Sequence, residues 1–401
     1  MIRKLTSPLA VIFVTLLLDK LGENIVYPLL PFILASYSPD GLTLGLLAAT
    51  ATLFSVVATP LIGALSDSFG RRRVILFCIA INVVSLLMFG LAGSLTLIFL
   101  SRAINGVATA TVGTAQAYIS DISTAATRAR NFGISGAAFG LGAIAGPAMG
   151  GGLVGLGMHV PLFAAAALAF VNFVLAIFFL HESLPAERRL PFRLSGLNLL
   201  AQWKLLLERI DVNRLALSFA CFNFAFSAFT SLLVLNLKDA LGWSASQSGG
   251  IFVIVGITVT YVQVALIGKL VRRHGELALN RAGLVVVAAG IAVLPLAASL
   301  KMVGAVLVVA SALLLSVGAA LVIPTARSLV SSRVSESEQG VMLGSLLSLT
   351  GIASALGPVT AGLLYDRSPL ASFLLQSLVC LAGVHLLRGV AHQGDPQPAQ
   401  A

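Results

Sequence analysis

Four ionisable side chains stand inside long apolar runs of the sequence. Asp19, Lys20 and Glu23 share one run, and Arg102 lies in another. Asp19 and Glu23 are one helical turn apart, so they line one face of a helix and repel each other when both are ionised. Such a pair can hold and release a proton. Arg102 requires a polar cavity or a carboxylate beside it, for which Asp19 and Glu23 are the candidates. Because Lys20 and Arg102 both stabilise ionised carboxylates, the sequence leaves open which acid titrates.

These charges are exceptional because the rest of the chain is apolar. Of 401 residues, 58% are hydrophobic and 10% are charged, against about 45–50% and 25% in an ordinary soluble domain. Apolar runs of about 20 residues match the thickness of a bilayer. The composition therefore excludes a soluble protein and predicts an all-α polytopic membrane protein. The net charge of +10 reflects membrane topology, and no nucleic-acid partner is expected.

The apolar runs predict twelve transmembrane helices in two pseudo-symmetric six-helix halves. The predicted spans are 8–36, 42–65, 73–93, 95–120, 131–156, 160–181, 213–236, 246–268, 278–299, 302–327, 339–364 and 370–390. The predicted domains are an N-terminal half at 1–181, a cytoplasmic linker at 182–212, a C-terminal half at 213–390 and a disordered tail at 391–401.

Two short motifs recur in the same order in the two halves. Gly63-Ala-Leu followed by Gly70 returns as Gly268-Lys-Leu followed by Gly275, at an offset of 205. Gly146-Pro147 returns as Gly357-Pro358, at an offset of 211. Parallel repeats of this kind are typical of transporters that hold substrate near the bilayer midplane.

The positions of the basic residues predict the orientation. Twenty of the 25 lysines and arginines lie at the termini and on even-numbered turns, three (Lys238, Lys301 and Arg367) lie on the opposite turns, and two (Lys20 and Arg102) lie within spans. This bias places both termini in the cytoplasm of a multi-pass protein of the inner (plasma) membrane. Charges at Asp19, Lys20 and Glu23 interrupt the first apolar run, so it is expected to be an uncleaved helix.

The turn after the second span carries a recognisable motif, Gly63-Ala-Leu-Ser-Asp67-Ser-Phe-Gly70-Arg71-Arg-Arg. Here the sequence resembles the major facilitator superfamily, and within it the drug:proton antiporters that include the tetracycline efflux proteins. The resemblance implies that Asp67 and Arg71 act with Asp121, at the end of the fourth span, as a cytoplasmic latch. Gly63 and Gly70 are expected to allow a tight turn.

Three further segments carry the same resemblance. Arg102-Ala-Ile-Asn105-Gly in the fourth span is similar to the family's arginine motif, and the first-span segment that contains Asp19 and Glu23 is similar to its antiporter counterpart. The resemblance implies proton coupling through Asp19, Glu23 and Arg102; a static charge network is the alternative. The third segment is the antiporter motif of the fifth span, with Gly142, Gly146, Pro147, Gly150 and Gly151. Its small residues allow close helix packing.

Several polar residues of the spans are candidates for the substrate cavity. They are Tyr27, Asn24, Asn82, Asn105, Gln116, Asn223 and Gln263. The alternative for each amide is a hydrogen bond to a neighbouring helix. The resemblance fails at the ninth span. Tetracycline exporters carry an acidic residue there, whereas residues 278–299 contain none, so the resemblance does not predict tetracycline as the substrate.

The expected function is proton-coupled efflux of small amphipathic compounds by alternating access. Uptake or facilitated transport of a sugar-like metabolite is the alternative. A membrane-embedded enzyme is a remote one, because HExxH, Gly-x-Ser-x-Gly and Cys/His clusters are absent from the sequence. Cys78, Cys221 and Cys380 lie in apolar runs without metal-ligand spacing. The expected partners are a small-molecule substrate, protons and the lipid bilayer, with no metal or cofactor and a functional monomer.

Overall fold

A computed structural model describes residues 7–37, 40–192, 203, 204, 206, 208–300, 303–334 and 338–390. The predicted tail at 391–401 lies outside the described residues, as does part of the predicted linker. Arg3, Lys4, Arg193 and Lys301, which entered the topology prediction, also lie outside them. Within the described ranges the regular structure is helical and includes no β-strand.

The helices follow one another along the chain with short connections. They are Pro8–Val26, Leu30–Leu34, Gly41–Phe69, Arg71–Gly90, Leu95–Ala108, Thr111–Asp121, Ala125–Leu153, Val160–Phe179, Ile210–Leu241, Ala245–Tyr261, Ile267–His274, Glu276–Ser299, Gly304–Ser331, Gln339–Tyr365 and Pro369–Leu386. When the segments of the fourth and eighth spans are joined, eleven helices of the described chain are long and apolar enough to cross a membrane. They match predicted spans two to twelve, so the all-α polytopic fold is confirmed.

The first span is the least regular. Its helix Pro8–Val26 continues through a 3₁₀ turn at Tyr27–Leu29 into a short helix at Leu30–Leu34. Pro28 and Pro31 lie where the α-helical pattern changes, because proline has no N–H to donate to the preceding turn. Three charges, Asp19, Lys20 and Glu23, make this span more polar than the other eleven.

Two other spans depart from a continuous α-helix. The fourth breaks at Thr109 and Ala110, between Leu95–Ala108 and Thr111–Asp121. The hydroxyls of Thr109 and Thr111 donate to the carbonyls of Gly106 and Ala108, both at 2.7 Å. The eighth contains a π-helical segment at Val262–Leu266.

The second span extends four residues beyond its predicted end and stops only at Gly70. Gly70 has φ +100°, and the equivalent repeat residue Gly275 has φ +78°, conformations that glycine adopts without steric cost. The same backbone break thus recurs at the repeat offset. The prediction for Gly63 is wrong, because it lies inside the helix and no atom stands within 4 Å of where its Cβ would be.

The chain forms two compact units. The first comprises Met1–Leu197, Thr230–Ile257 and Pro358–Arg367, and the second comprises Asn198–Phe229, Thr258–Gly357 and Ser368–Ala401. The first unit therefore joins the six N-terminal spans to parts of the seventh, eighth and eleventh. The predicted boundaries of the two halves stay predictions.

Each unit has its own apolar core. In the first, Ile12 and Leu16 of the first span pack with Ile75, Tyr118 and Ala176 of later spans. In the second, the ninth and tenth spans approach closely through small residues. A Cβ on Gly318 would lie 2.7 Å from the carbonyl oxygen of Gly283, so these two helices pack backbone against backbone.

Candidate functional site

Asp19 is linked to the third and fourth spans by a chain of two amides. Its side chain is buried, with 6% of the residue exposed. The Asn82 amide donates to Asp19 Oδ1 at 3.0 Å, and the Asn105 amide donates to Asn82 Oδ1 at 3.0 Å. Two predicted substrate candidates therefore orient the Asp19 carboxylate, which receives a neutral donor and no cation.

Lys20 and Glu23 form an ion pair on the first span itself. The Lys20 ammonium also lies over the Phe139 ring, 5.7 Å from its centroid. The Asn24 amide donates to the Lys20 backbone carbonyl at 2.8 Å, so this substrate candidate is engaged within its own helix. The pair neutralises Glu23, whereas Asp19 forms no direct ion pair with Lys20 and feels the charge of its ammonium only at longer range.

Arg102 forms no direct ion pair with a carboxylate in the described part of the chain. Its guanidinium carbon lies over the Phe89 ring, 4.5 Å from the centroid. Its Nε and Nη2 atoms are buried and have no hydrogen-bond partner among the described residues. The predicted pairing of Arg102 with Asp19 or Glu23 is not formed as a direct contact, although the charge of Glu23 acts on the Arg102 guanidinium. Lys20, three residues from Glu23 on the same helix, has taken that carboxylate, and Asn82 has taken Asp19.

The predicted latch residues meet at the break between the second and third spans. The Arg71 guanidinium pairs with Asp67 through Nη1 and with Asp121 Oδ2 through Nε, the latter at 3.2 Å. Nη1 also donates to Ser66 Oγ at 2.6 Å. We call Asp67, Arg71 and Asp121 the Arg71 cluster. Gly70 permits it, because its positive φ turns the chain directly from one helix into the next.

Glu182, the first residue of the predicted linker, holds this cluster in place. Its Oε1 accepts the backbone N–H of Arg71 at 2.9 Å, at the first turn of the third span. The neighbouring Ser183 hydroxyl donates to Asp121 Oδ2 at 3.0 Å. A carboxylate is stabilised at a helix N-terminus by free N–H groups and by the helix dipole. No local pattern relates residues 111 positions apart, so the sequence contained no signal for this contact.

The glycine motif of the fifth span brings that helix against the charged first span. A Cβ on Gly142 would lie 2.6 Å from Lys20 Cβ, and one on Gly150 would collide with the Ile25 carbonyl. Gly146 is equally close to Asn24. The expected close packing through small residues is present, and it positions Lys20 against Phe139 of the same helix.

The opposite side of the fifth span meets the eighth span within the first unit. A Cβ on Gly151 would lie 3.1 Å from Ser246 Cα, and one on Gly249 would lie 2.9 Å from the Pro147 carbonyl. The motif thus makes two close helix contacts, one on each side.

The remaining substrate candidates are divided between the two units. The Tyr27 hydroxyl donates to Thr230 Oγ1 at 3.5 Å, and its ring meets Phe252 edge to face with centroids 6.0 Å apart. The Asn223 amide donates to the Phe219 carbonyl one turn earlier at 2.8 Å. Gln116 and Gln263 are exposed. Tyr27 and Gln116 belong to the first unit and Asn223 and Gln263 to the second.

Metal chemistry has no site in the described ranges, where no group of three His, Cys, Asp or Glu residues could hold an ion. The three cysteines are free thiols, with Cys78 and Cys380 buried.

Residues 12–335 match the family model described as Major Facilitator Superfamily. The chain belongs to the Major Facilitator Superfamily. This superfamily member is 32% identical to the tetracycline resistance protein, class C, of Escherichia coli, over 91% of each chain. It is 28% identical to multidrug resistance protein 2 of Bacillus subtilis (strain 168), over 91% of this chain and 90% of that one. The predicted family is confirmed.

Solved structures of transporters share the fold of this superfamily member. The human organic anion transporter MFSD10 (TETRAN) superposes with a TM-score of 0.72 at 25% identity, over 95% of this chain and 98% of that one. A peptide transporter POT in complex with sulfate gives a TM-score of 0.79 at 13% identity, over 95% and 93%. The second likeness concerns the fold alone. The Major Facilitator Superfamily protein is thus a multi-pass membrane transporter.

Proposed function

We propose that this transporter exports small amphipathic compounds in exchange for protons, by alternating access, and that Asp19 carries the coupling proton. The observation that carries the proposal is the surroundings of Asp19: it is buried, oriented by Asn82 and forms no direct ion pair among the described residues, although the charge of Lys20 acts on it. Relatives named for tetracycline and multidrug resistance support efflux as the direction. The antiporter glycine motif of the fifth span supports it as well.

Asp19 is a better proton carrier than Glu23 because the two carboxylates have different neighbours. Glu23 is neutralised by Lys20, so a proton that bound there would have to displace an ammonium. A proton on Asp19 instead removes a buried charge that has no direct ion pair, and the Asn82 amide can donate to either form of the carboxyl group. Glu23 is then a structural partner of Lys20.

Arg102 gives the proton a way to change the conformation. In this structure the guanidinium lies on Phe89 with unused donors, and we assign this arrangement to the protein with neutral Asp19. Loss of the proton creates a carboxylate that attracts those donors. Movement of Arg102 toward Asp19 would shift the fourth span against the first. The protonated and the deprotonated forms of Asp19 thereby favour different orientations, and substrate binding displaces the proton in one of them.

The Arg71 cluster controls closure on the cytoplasmic side in this proposal. Both termini lie in the cytoplasm, since twenty basic residues flank that face against three on the other. The protein works as a monomer in the inner (plasma) membrane, with lipid around the apolar spans. Protons and a small molecule are its ligands.

The substrate is a small amphipathic compound that need not be tetracycline. Glu276 is the acidic residue of the ninth-span helix, Glu276–Ser299. It lies at the first position of that helix, where it accepts the Ser328 hydroxyl at 2.6 Å. That carboxylate is engaged at the helix end, away from the middle of the span. A growth screen of an efflux-deficient strain that expresses the protein, against a compound panel that includes tetracycline, identifies the substrate.

Dye accumulation in everted membrane vesicles tests the coupling. We expect wild-type protein to accumulate dye faster when the vesicle lumen is acidic, and Asp19→Asn to lose this dependence on the pH gradient. Glu187→Gln, an exposed linker variant, is the control and should behave as wild type. Wild-type transport that ignores the gradient, or an Asp19→Asn variant that keeps the full dependence, would contradict the proposal.

A further inference from the structure

The carboxylate of Asp366, at the end of the eleventh span, caps the N-terminus of the second span. Asp366 Oδ1 accepts the Gly41 N–H at 2.6 Å, and Oδ2 accepts the Leu42 N–H at 3.0 Å. These are the first two N–H groups of the helix Gly41–Phe69, and they have no partner within that helix. Both oxygens of one carboxylate thus bind the positive end of a helix more than 300 residues away.

The backbones of the second and eleventh spans approach closely because small residues line their contact. A Cβ on Gly41 would lie 3.1 Å from the Gly362 carbonyl, and a Cβ on Gly362 would collide with the Gly41 backbone. One turn further along, a Cβ on Gly45 would collide with the Pro358 carbonyl. All these residues belong to the first unit. The Asp366 contact therefore closes the end of a tightly packed pair of spans.

Other charged groups surround this end of the first unit. Asp239 accepts the Tyr365 hydroxyl at 3.2 Å, and its charge interacts with those of Asp366 and Lys238. Asp40 caps the second span locally by accepting the Thr43 N–H at 3.1 Å. The Lys238 ammonium lies over the Phe32 ring, 5.6 Å from its centroid. Arg367 is next to Asp366 in the chain and exposed. Asp366 hydrogen-bonds the eleventh span directly to the second.

We propose that Asp366 is a gate residue, which keeps this end of the first unit closed and releases the second span each time that end opens. The proposal rests on the alternating access of the proposed function, and the predicted topology places this end on the non-cytoplasmic face. The contact suits a gate because it is polar. When the spans separate, water hydrates both the carboxylate and the helix N–H groups. An apolar contact would instead expose apolar surface to water.

The gate complements the Arg71 cluster on the other face. There, Glu182 caps the third span from within the N-terminal spans, so that cap can persist while the halves move. Asp366 caps the second span from a residue of the predicted C-terminal half, so opening must break it. A carboxylate caps a helix N-terminus at both ends; the Glu182 cap can stay intact during the conformational change, whereas the Asp366 cap must break.

Distance measurements between spin labels test the gate. Labels at Leu91→Cys and Leu363→Cys, both exposed residues of the first unit, are introduced into full-length protein whose three native cysteines are replaced. We expect Asp366→Ala to raise the population with the longer distance about tenfold, the size expected for loss of a charge-assisted pair of bonds. Asp366→Asn, which keeps one acceptor oxygen, should lie between this variant and wild type.

Ser94→Ala is the matched control. Ser94 caps the fourth span on the same predicted face by accepting the Leu97 N–H at 3.3 Å, a contact within its own segment. Ser94→Ala should leave the distances between the two spin labels unchanged. An Asp366→Ala protein that folds but keeps the wild-type distances would overturn the gate. An equal increase of the distances in Asp366→Ala and Ser94→Ala would overturn it as well. Because the distances require neither a gradient nor a substrate, failure of proton coupling in vesicles is a separate result.

Discussion

Glu182 Oε1 lies 2.9 Å from the backbone nitrogen of Arg71. Glu182, which follows the sixth span, therefore caps the third span, whose helix begins at Arg71. The same oxygen accepts the N–H groups of Ser183 and Leu184, both at 3.1 Å. One carboxylate oxygen therefore fixes both the start of the third span and the start of the linker. The Leu190 N–H, which bonds the Asp67 carbonyl at 3.1 Å, attaches the linker a second time.

Glu182→Ala should loosen both segments. Removal of a side-chain cap costs about 0.5–2 kcal/mol of folding free energy, and we expect a lower melting temperature in detergent together with slower efflux. Glu187→Ala, in the same linker but exposed, is the control. Thermal unfolding and vesicle transport of the two variants provide the comparison, and equal melting temperatures would show that the cap contributes no stability.

Gly142→Ala should impair transport more than Gly152→Ala. A Cβ at Gly142 would stand 2.6 Å from Lys20 Cβ, whereas a Cβ at Gly152, in the same helix, would have no atom within 4 Å. The first change must push the first and fifth spans apart, at a cost of about 1–3 kcal/mol. The second changes only helix propensity. Transport rates normalised to protein in the membrane test this, and two equally impaired variants would refute a specific role of the contact.

The spans were predictable because bilayer thickness imposes a length on every apolar run. The break at Gly70 was predictable from the motif, whereas the helical position of Gly63 was not. The backbone of a buried helix has no other hydrogen-bond partners, so the helix continued through Gly63 and ended only where a positive φ stopped it.

The partners of the charged residues were less predictable. Charge alone favoured a pair between Arg102 and the first span. The sequence does not encode which of several donors reaches a carboxylate first, and here Asn82 and Lys20 do so. Glu182 and Asp366 were missed for a related reason. Each binds a backbone N–H of a distant helix, and a backbone N–H carries no sequence signal.

Asn82→Leu should disturb coupling more than substrate recognition. The Asn82 amide is the bonded neighbour of Asp19, and its carbonyl is held by Asn105 at 3.0 Å. A leucine leaves the buried Asp19 carboxyl without this donor and the Asn105 amide without its acceptor. We expect the dependence of efflux on the pH gradient to weaken or shift while the concentration for half-maximal transport changes little. If only that concentration moved, Asn82 would be a substrate contact.

Removal of both residues of the first-span ion pair should be tolerated, whereas removal of one residue alone should not. Glu23→Gln leaves the largely buried Lys20 ammonium without a carboxylate, which costs stability. The double variant Lys20→Met, Glu23→Leu removes both charges and keeps the apolar bulk against Phe139, and such replacements are often neutral in protein interiors. We therefore expect low membrane levels for Glu23→Gln, recovery in the double variant, and gradient-dependent efflux by the recovered protein. Because Asp19 remains in that protein, loss of its gradient dependence would assign the coupling proton to Glu23 instead.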